Sequence, residues 1–215
     1  VLFEGGAIPK PETVESGKTV SDNTPEEIDQ TISIHLSLST IEWKDAKINI
    51  LDTPGGSDFV GEVVAAFRVG ESGVMLVDAR SGVQIETIKL WRRLEQRNKP
   101  RMVFLNKMDV ERSSFKTALD DLNDKFSANF VPLTIPMGDG TDFQGVIDLL
   151  EKKAYPIPGV NEKEKAVDIP DEFKDMVEEY SASLMELAAE GDDELVEKFL
   201  EEETLTPEEI MTGLT

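Results

Sequence analysis

Two short strings carry the chemistry in this chain, and both follow apolar runs that read as strands. The first, Asp52-Thr53-Pro54-Gly55, comes directly after residues 48–51. A carboxylate at the carboxyl end of a strand can hold a magnesium-bound water, while the backbone N–H of a following glycine faces a terminal phosphate. Taken alone, these four residues are also a common turn. The second string, Asn106-Lys107-Met108-Asp109, comes directly after residues 101–105. Guanine presents two adjacent donors, N1–H and the exocyclic amine, and one carboxylate accepts both; adenine has no such pair. Asp109 would therefore select guanine, with Asn106 on the base edge and the Lys107 stem over the ring. Both strings, in this order and each at a strand end, point to a guanine-nucleotide site.

Other reactive residue types are scarce. Gly17-Lys18-Thr19 looks like the end of a phosphate-binding loop, but Glu12 stands where G-x-x-x-x-G-K-[ST] needs its first glycine. No strand is expected before it and no helix after it, so it reads as a decoy. The one histidine, His35, falls in an expected strand outside both strings and reads as a packing or surface residue. Trp43 and Trp91 read as core or half-buried packing. Lys89, Arg92, Arg93, Arg97 and Arg101 form a local basic patch, either a solvated helix face or a contact surface.

The elements that must place these residues alternate. Residues 24–27 suit a capped helical turn, with Pro25 at the first helical position. Residues 35–43 and 47–51 read as a hairpin turned by Lys44-Asp45-Ala46. Helical spacing over 59–69, 84–96 and 115–126 alternates with buried strands over 73–77 and 101–105. That pattern predicts an α/β fold, a P-loop NTPase-like, mainly parallel sheet with helices on both faces. Ligands should then sit at the carboxyl ends of its strands. Strands over 131–135 and 146–150, followed by acidic helices over 171–189 and 193–200 and one capped by Thr206, predict an added α+β subdomain. The division expected is 1–130 and 131–215.

Composition narrows the options. Forty-four acidic residues against 22 basic give a net charge of −22, which disfavours direct binding to nucleic acid or to an anionic membrane. Residues 151–215 hold 20 acids against 6 bases, −14 of that total, either a solubilising face or a docking surface for a basic partner. The absence of cysteine excludes disulfides, zinc–thiolate sites and thiol catalysis. The apolar runs are too short to span a membrane, and no leader is read at the start; a cytoplasmic monomer is expected.

The residues from Ile48 through Asp52-Thr53-Pro54-Gly55 to Asp58-Phe59, with Arg68-Val69, Gly82-Val83-Gln84, Trp91-Arg92 and Asn106–Asp109, resemble translational GTPases. Val131-Pro132-Leu133, 143–149, Lys153-Ala154-Tyr155 and Gly191-Asp192-Asp193-Glu194 resemble the subdomain inserted in elongation factor G. The resemblance implies binding of GTP or GDP with Mg2+ and a ribosomal partner. It makes Asp52, Thr53, Pro54, Gly55 and Gly56 the second switch, and Asn106, Lys107, Met108 and Asp109 the guanine reader. The first switch falls around 29–34, with Ser33 where the family has its magnesium-binding threonine. Gly56 stands where the family has a histidine that positions water, so no catalytic residue is assigned. The family's phosphate-binding loop lies upstream of the region matching Val1 and its Ser-Ala motif beyond Thr215, so the chain reads as part of a longer protein. A translocation-type factor is expected; the alternatives are a regulatory module that hydrolyses GTP slowly or not at all, and a ribosome-protection or recycling factor.

Overall fold

A computed structural model describes residues 1–159 and 162–214. The chain divides into two compact units, one of Val1–Gly73 with Arg93–Arg101, the other of Val74–Arg92 with Met102–Thr215.

In the first unit, helix α1 (Pro25–Gln30) opens on a capping box: Thr24 accepts the Glu27 N–H, and the Glu27 carboxylate reaches back to the Thr24 N–H. Glu27 is 1% exposed. Its Oε2 accepts the N–H groups of Asn23 and Thr24 and the Thr24 hydroxyl, and its Oε1 accepts those of Ile34 and His35 at 3.1 and 3.0 Å. One carboxylate thus closes the loop between α1 and strand β1 (Ser37–Trp43). β1 pairs antiparallel with β2 (Ala46–Asp52), from Ser37↔Asp52 to Trp43↔Ala46. Lys44 and Asp45, at φ 46° and 63°, make the two-residue turn whose twist matches a hairpin. His35, expected inside the strand, instead sits in a bend before it, because its N–H is taken by Glu27 rather than by a ladder partner. After β2, residues 53–56 lead to a 3-10 turn, Ser57–Phe59, and then helix α2 (Val60–Val69).

Strand β3 (Gly73–Asp78) pairs with β4 (Arg101–Asn106) across helix α3 (Ile85–Glu95). The Gly73 N–H donates to the Pro100 carbonyl and the Ala79 N–H to that of Asn106. The offset is 27 residues at both ends, so the pair is parallel. Its residues alternate sharply: Met75 and Val77 are buried, while Val74, Leu76, Met102 and Phe104 are each more than half exposed. Trp91 packs on Phe126 and Phe130, just beyond helix α4 (Phe115–Lys125), as core rather than as a ligand platform.

The rest of the second unit holds an antiparallel sheet, β5 (Thr134–Met137), β6 (Gly145–Asp148) and β7 (Lys153–Pro156), in the order β5-β6-β7. Ile135 faces Ile147, which faces Ala154, and all three are fully buried. Helices α5 (Lys174–Ala189), α6 (Asp193–Glu202) and α7 (Pro207–Gly213) contribute Leu184, Ala188, Leu195 and Ile210 to the same core. The expected strands shift by about three residues at β5 and one at β6. Pro136 is tolerated because β5 is an edge, and β6 stops early because Asp148 accepts the Leu150 and Glu151 N–H groups in a turn. β7, four residues ending in proline, is too short to show a periodicity in the sequence.

The sheets are mixed: antiparallel at the hairpin and in the subdomain, parallel in the β3–α3–β4 crossover. Among the described residues no helix is long and apolar enough to cross a membrane.

Glu27 sets an acid limit. The hydrogen bond from the His35 N–H, ahead of opposing burial and aided by Thr24 and Ile34, pulls its pKa down to about 2. A depressed carboxylate pKa adds stability above its unfolded value, lost as pH falls through the folded one. The first unit should therefore weaken between about pH 4.5 and 2. Glu27→Gln should cost about 1.5–3 kcal/mol near neutral pH and remove that acid step, as urea unfolding across pH would show.

Candidate functional site

One group of candidate residues lies in the first unit. Asp52 is the last residue of β2, and the hairpin register places it opposite Ser37 at the carboxyl end of the strand. Pro54 is buried and anchors the following turn, leaving Gly55, Gly56 and Ser57 exposed. Asp52 is exposed as a residue. Desolvation of its carboxyl, then the charge of Asp22, nevertheless holds its pKa above the usual carboxylate range, against a hydrogen bond from the Ser21 hydroxyl. Asp22 is 7% exposed, and its Oδ1 has no hydrogen-bond partner among the described residues.

A buried carboxylate oxygen without a donor is costly. Beside a second carboxylate it fits a hard divalent cation. Magnesium, which takes one or two carboxylates and fills its shell with water and phosphate oxygens, suits this pair. Among the described residues no group of three or more acidic, histidine or cysteine side chains gathers, so a dedicated all-protein cage is not what the residues offer. Ser33, the expected hydroxyl ligand, is half-buried just before Ile34, whose N–H Glu27 holds. His35 lines a cleft of about 220 Å3 with Ile34, Asp58, Phe59, Gly61 and Glu62, beside the turn that follows Gly56.

A separate group lies in the second unit, where β4 ends at Asn106. The Asn106 Oδ1 accepts the Lys107 N–H at 2.9 Å. Lys107 has φ 60°, a left-handed conformation that a lysine holds only when its neighbours enforce it. Met108 is 8% exposed and roots the loop: its carbonyl accepts the Ser113 hydroxyl at 2.7 Å and the Gly140 N–H at 2.9 Å. With Met108 held inside, Asn106, Lys107 and Asp109 are exposed. No hydrogen bond or ion pair among the described residues engages the Asp109 carboxylate, so both oxygens can accept. The Lys107 Nζ is 3.2 Å from Asp78 Oδ2.

Gly17-Lys18-Thr19 is no phosphate cradle. Gly17, at φ 62°, caps a 3-10 turn, Val14–Ser16, and the next helix starts only at Pro25.

The sequence profile of the elongation factor Tu GTP-binding domain matches residues 1–207. The chain belongs to that family. A crystal structure of a Thermus thermophilus protein superposes with a TM-score of 0.87 at 30% identity, covering 99% of this chain and 32% of that one. This chain is thus an elongation-factor-type, guanine-nucleotide-binding domain with a mixed α/β fold, and it spans about a third of that relative's length.

Asp22, Ser21 and Asp78 escaped the sequence reading. Asp78 carried a usable signal, since it closes a strand as Asp52 does. Asp22 carried none, because its burial arises from tertiary packing of a polar stretch.

The Asp22–Asp52 pair makes a signed prediction. Asp52's raised pKa means the folded state favours its protonated form, so stability is lost as pH rises through that value. Asp22→Asn should stabilise the metal-free chain at pH 7 by about 1 kcal/mol and abolish any Mg2+-dependent rise in melting temperature, as melts with and without millimolar Mg2+ would show.

Proposed function

We propose that this domain serves an elongation factor G-like translational GTPase that works with the ribosome. Residues 1–130 would form the central part of the nucleotide-binding domain and 131–215 its inserted subdomain. The observation that carries the nucleotide reading is the loop 106–109, in which a buried methionine fixes the backbone and leaves Asp109 free. Asp109 accepts both guanine donors, Asn106 meets the base edge and the Lys107 stem covers the ring. Asp52, with Thr53, Pro54, Gly55 and Gly56, faces the terminal phosphate. Bound magnesium would supply positive charge to the phosphate oxygens; Asp22 and Asp52 are the residues that would hold it, with Ser33 a hydroxyl donor from the first switch.

A second reading, slow hydrolysis, draws on one further observation. Gly56 has no side chain to orient water, and a Cβ built there meets the Phe59 ring at 3.2 Å. Phosphoryl transfer depends on orienting water and stabilising spreading charge. A positioned side chain contributes about 10²–10⁴-fold.

Two measurements on the whole protein test these readings. Asp109→Asn should replace GDP preference by XDP preference, because xanthine carries a carbonyl where guanine has its amine; retained GDP preference would refute the role of Asp109. Ribosome-stimulated GTP hydrolysis should be slow and rise about 10²-fold or more in Gly56→His. Gly56 has φ −72°, which any residue accepts, and Phe59 need yield only a few tenths of an ångström. A fast wild type, unimproved by the substitution, would assign the water to another residue.

A further inference from the structure

The Lys107 ammonium is tied to a carboxylate outside the guanine-reading loop. Asp78, the last residue of β3, divides its two oxygens. Oδ1 accepts the Arg80 and Ser81 N–H groups at 3.0 and 3.2 Å, as in an Asx turn. Oδ2 lies 3.2 Å from Lys107 Nζ. The turn does not rest on that carboxylate alone. The Asp78 carbonyl accepts the Ser81 and Gly82 N–H groups, and Asp121 on α4 accepts the Val83 N–H at 2.6 Å. Oδ2 is therefore free to act on Lys107.

We propose that Asp78 is a positioning residue for guanine-nucleotide binding, holding the Lys107 side chain extended so that its stem is ready to cover the base. The inference rests on the guanine reading of residues 106–109. The parallel register makes the arrangement possible: Ala79 donates to the Asn106 carbonyl, so the end of β3 lies beside the start of the reading loop. The Asp78 side chain is 23% exposed and that of Lys107 57%, so one partner is fixed in the turn while the other reaches out from it. A lysine stem left to itself samples many rotamers and loses that freedom on meeting a ligand. Anchoring its far end beforehand lowers that loss. The net attraction of an exposed ion pair is small, so the contribution lies in preorganisation. Asp109 selects the base; Asp78 raises affinity for any base that enters.

The test measures binding of fluorescent GDP and IDP to the whole protein; IDP lacks the exocyclic amine. Asp78→Asn keeps an acceptor for the turn and removes the charge facing Lys107. It should weaken both nucleotides by the same factor, about 3- to 10-fold, and leave the GDP/IDP ratio unchanged. Lys107→Gln alone should weaken binding by at least that factor, and adding Asp78→Asn to it should cause no further loss. An unchanged Kd in either single variant, or an equal Asp78→Asn loss in both Lys107 backgrounds, would overturn the inference. If Asp78→Asn does not fold, Asp78→Ser, which also keeps an acceptor for the turn and removes the charge, takes its place in the same comparison. A wild-type protein that fails to bind GDP would instead refute the guanine reading on which the inference stands.

Discussion

Carboxylates outnumber cations two to one in this chain, and the structure answers several of them with its own backbone. Glu27 takes four N–H groups, Asp78 and Asp148 two each, and Asp121, Asp139 and Asp192 one each. An N–H held in a turn is a donor whose position is fixed by the chain, so each bond to a carboxylate also fixes the turn. The loops beside these carboxylates are closed in that way. Ion pairs are mostly exposed and contribute little.

The candidate residues of each unit use the same supply of acids differently. Asp109 is left unbound in a rooted loop, where it keeps its full accepting capacity. Asp22 is buried beside Asp52 with an oxygen unanswered, a cost the folded chain bears. The contrast separates the two kinds of carboxylate in this molecule. Those satisfied by N–H groups shape the chain, while Asp109 and one Asp22 oxygen keep their accepting capacity.

Much of this was legible because local chemistry dictated it. Thr24-Pro25-Glu26-Glu27 and Thr206-Pro207-Glu208-Glu209 form the capping boxes their spacing encodes, and Lys44-Asp45 turns the hairpin where the alternation breaks. Asn106–Asp109 lies at a strand end as read. What escaped depended on partners distant in the chain. The role of Glu27 as receiver of the Ile34 and His35 N–H groups requires a loop closed over seven and eight residues, and no pattern marks it. Asp22 stands out only once packing buries it, and the edge strand β5 is read about three residues early because its proline masks its far end.

The apolar face of the β3–β4 pair has a colloidal consequence. Parallel strands are ordinarily covered on both sides, yet here Val74, Leu76, Met102 and Phe104 present themselves to water from adjacent strands. Such a surface invites one copy to adhere to another. What opposes this is mutual repulsion between molecules that each carry a charge of −22. Repulsion of that range fades once salt shortens the Debye length to about 10 Å or less, whereas contact between oily faces strengthens. A solution of this chain should therefore stay clear in dilute buffer and turn cloudy as electrolyte is added, the reverse of ordinary salting-in.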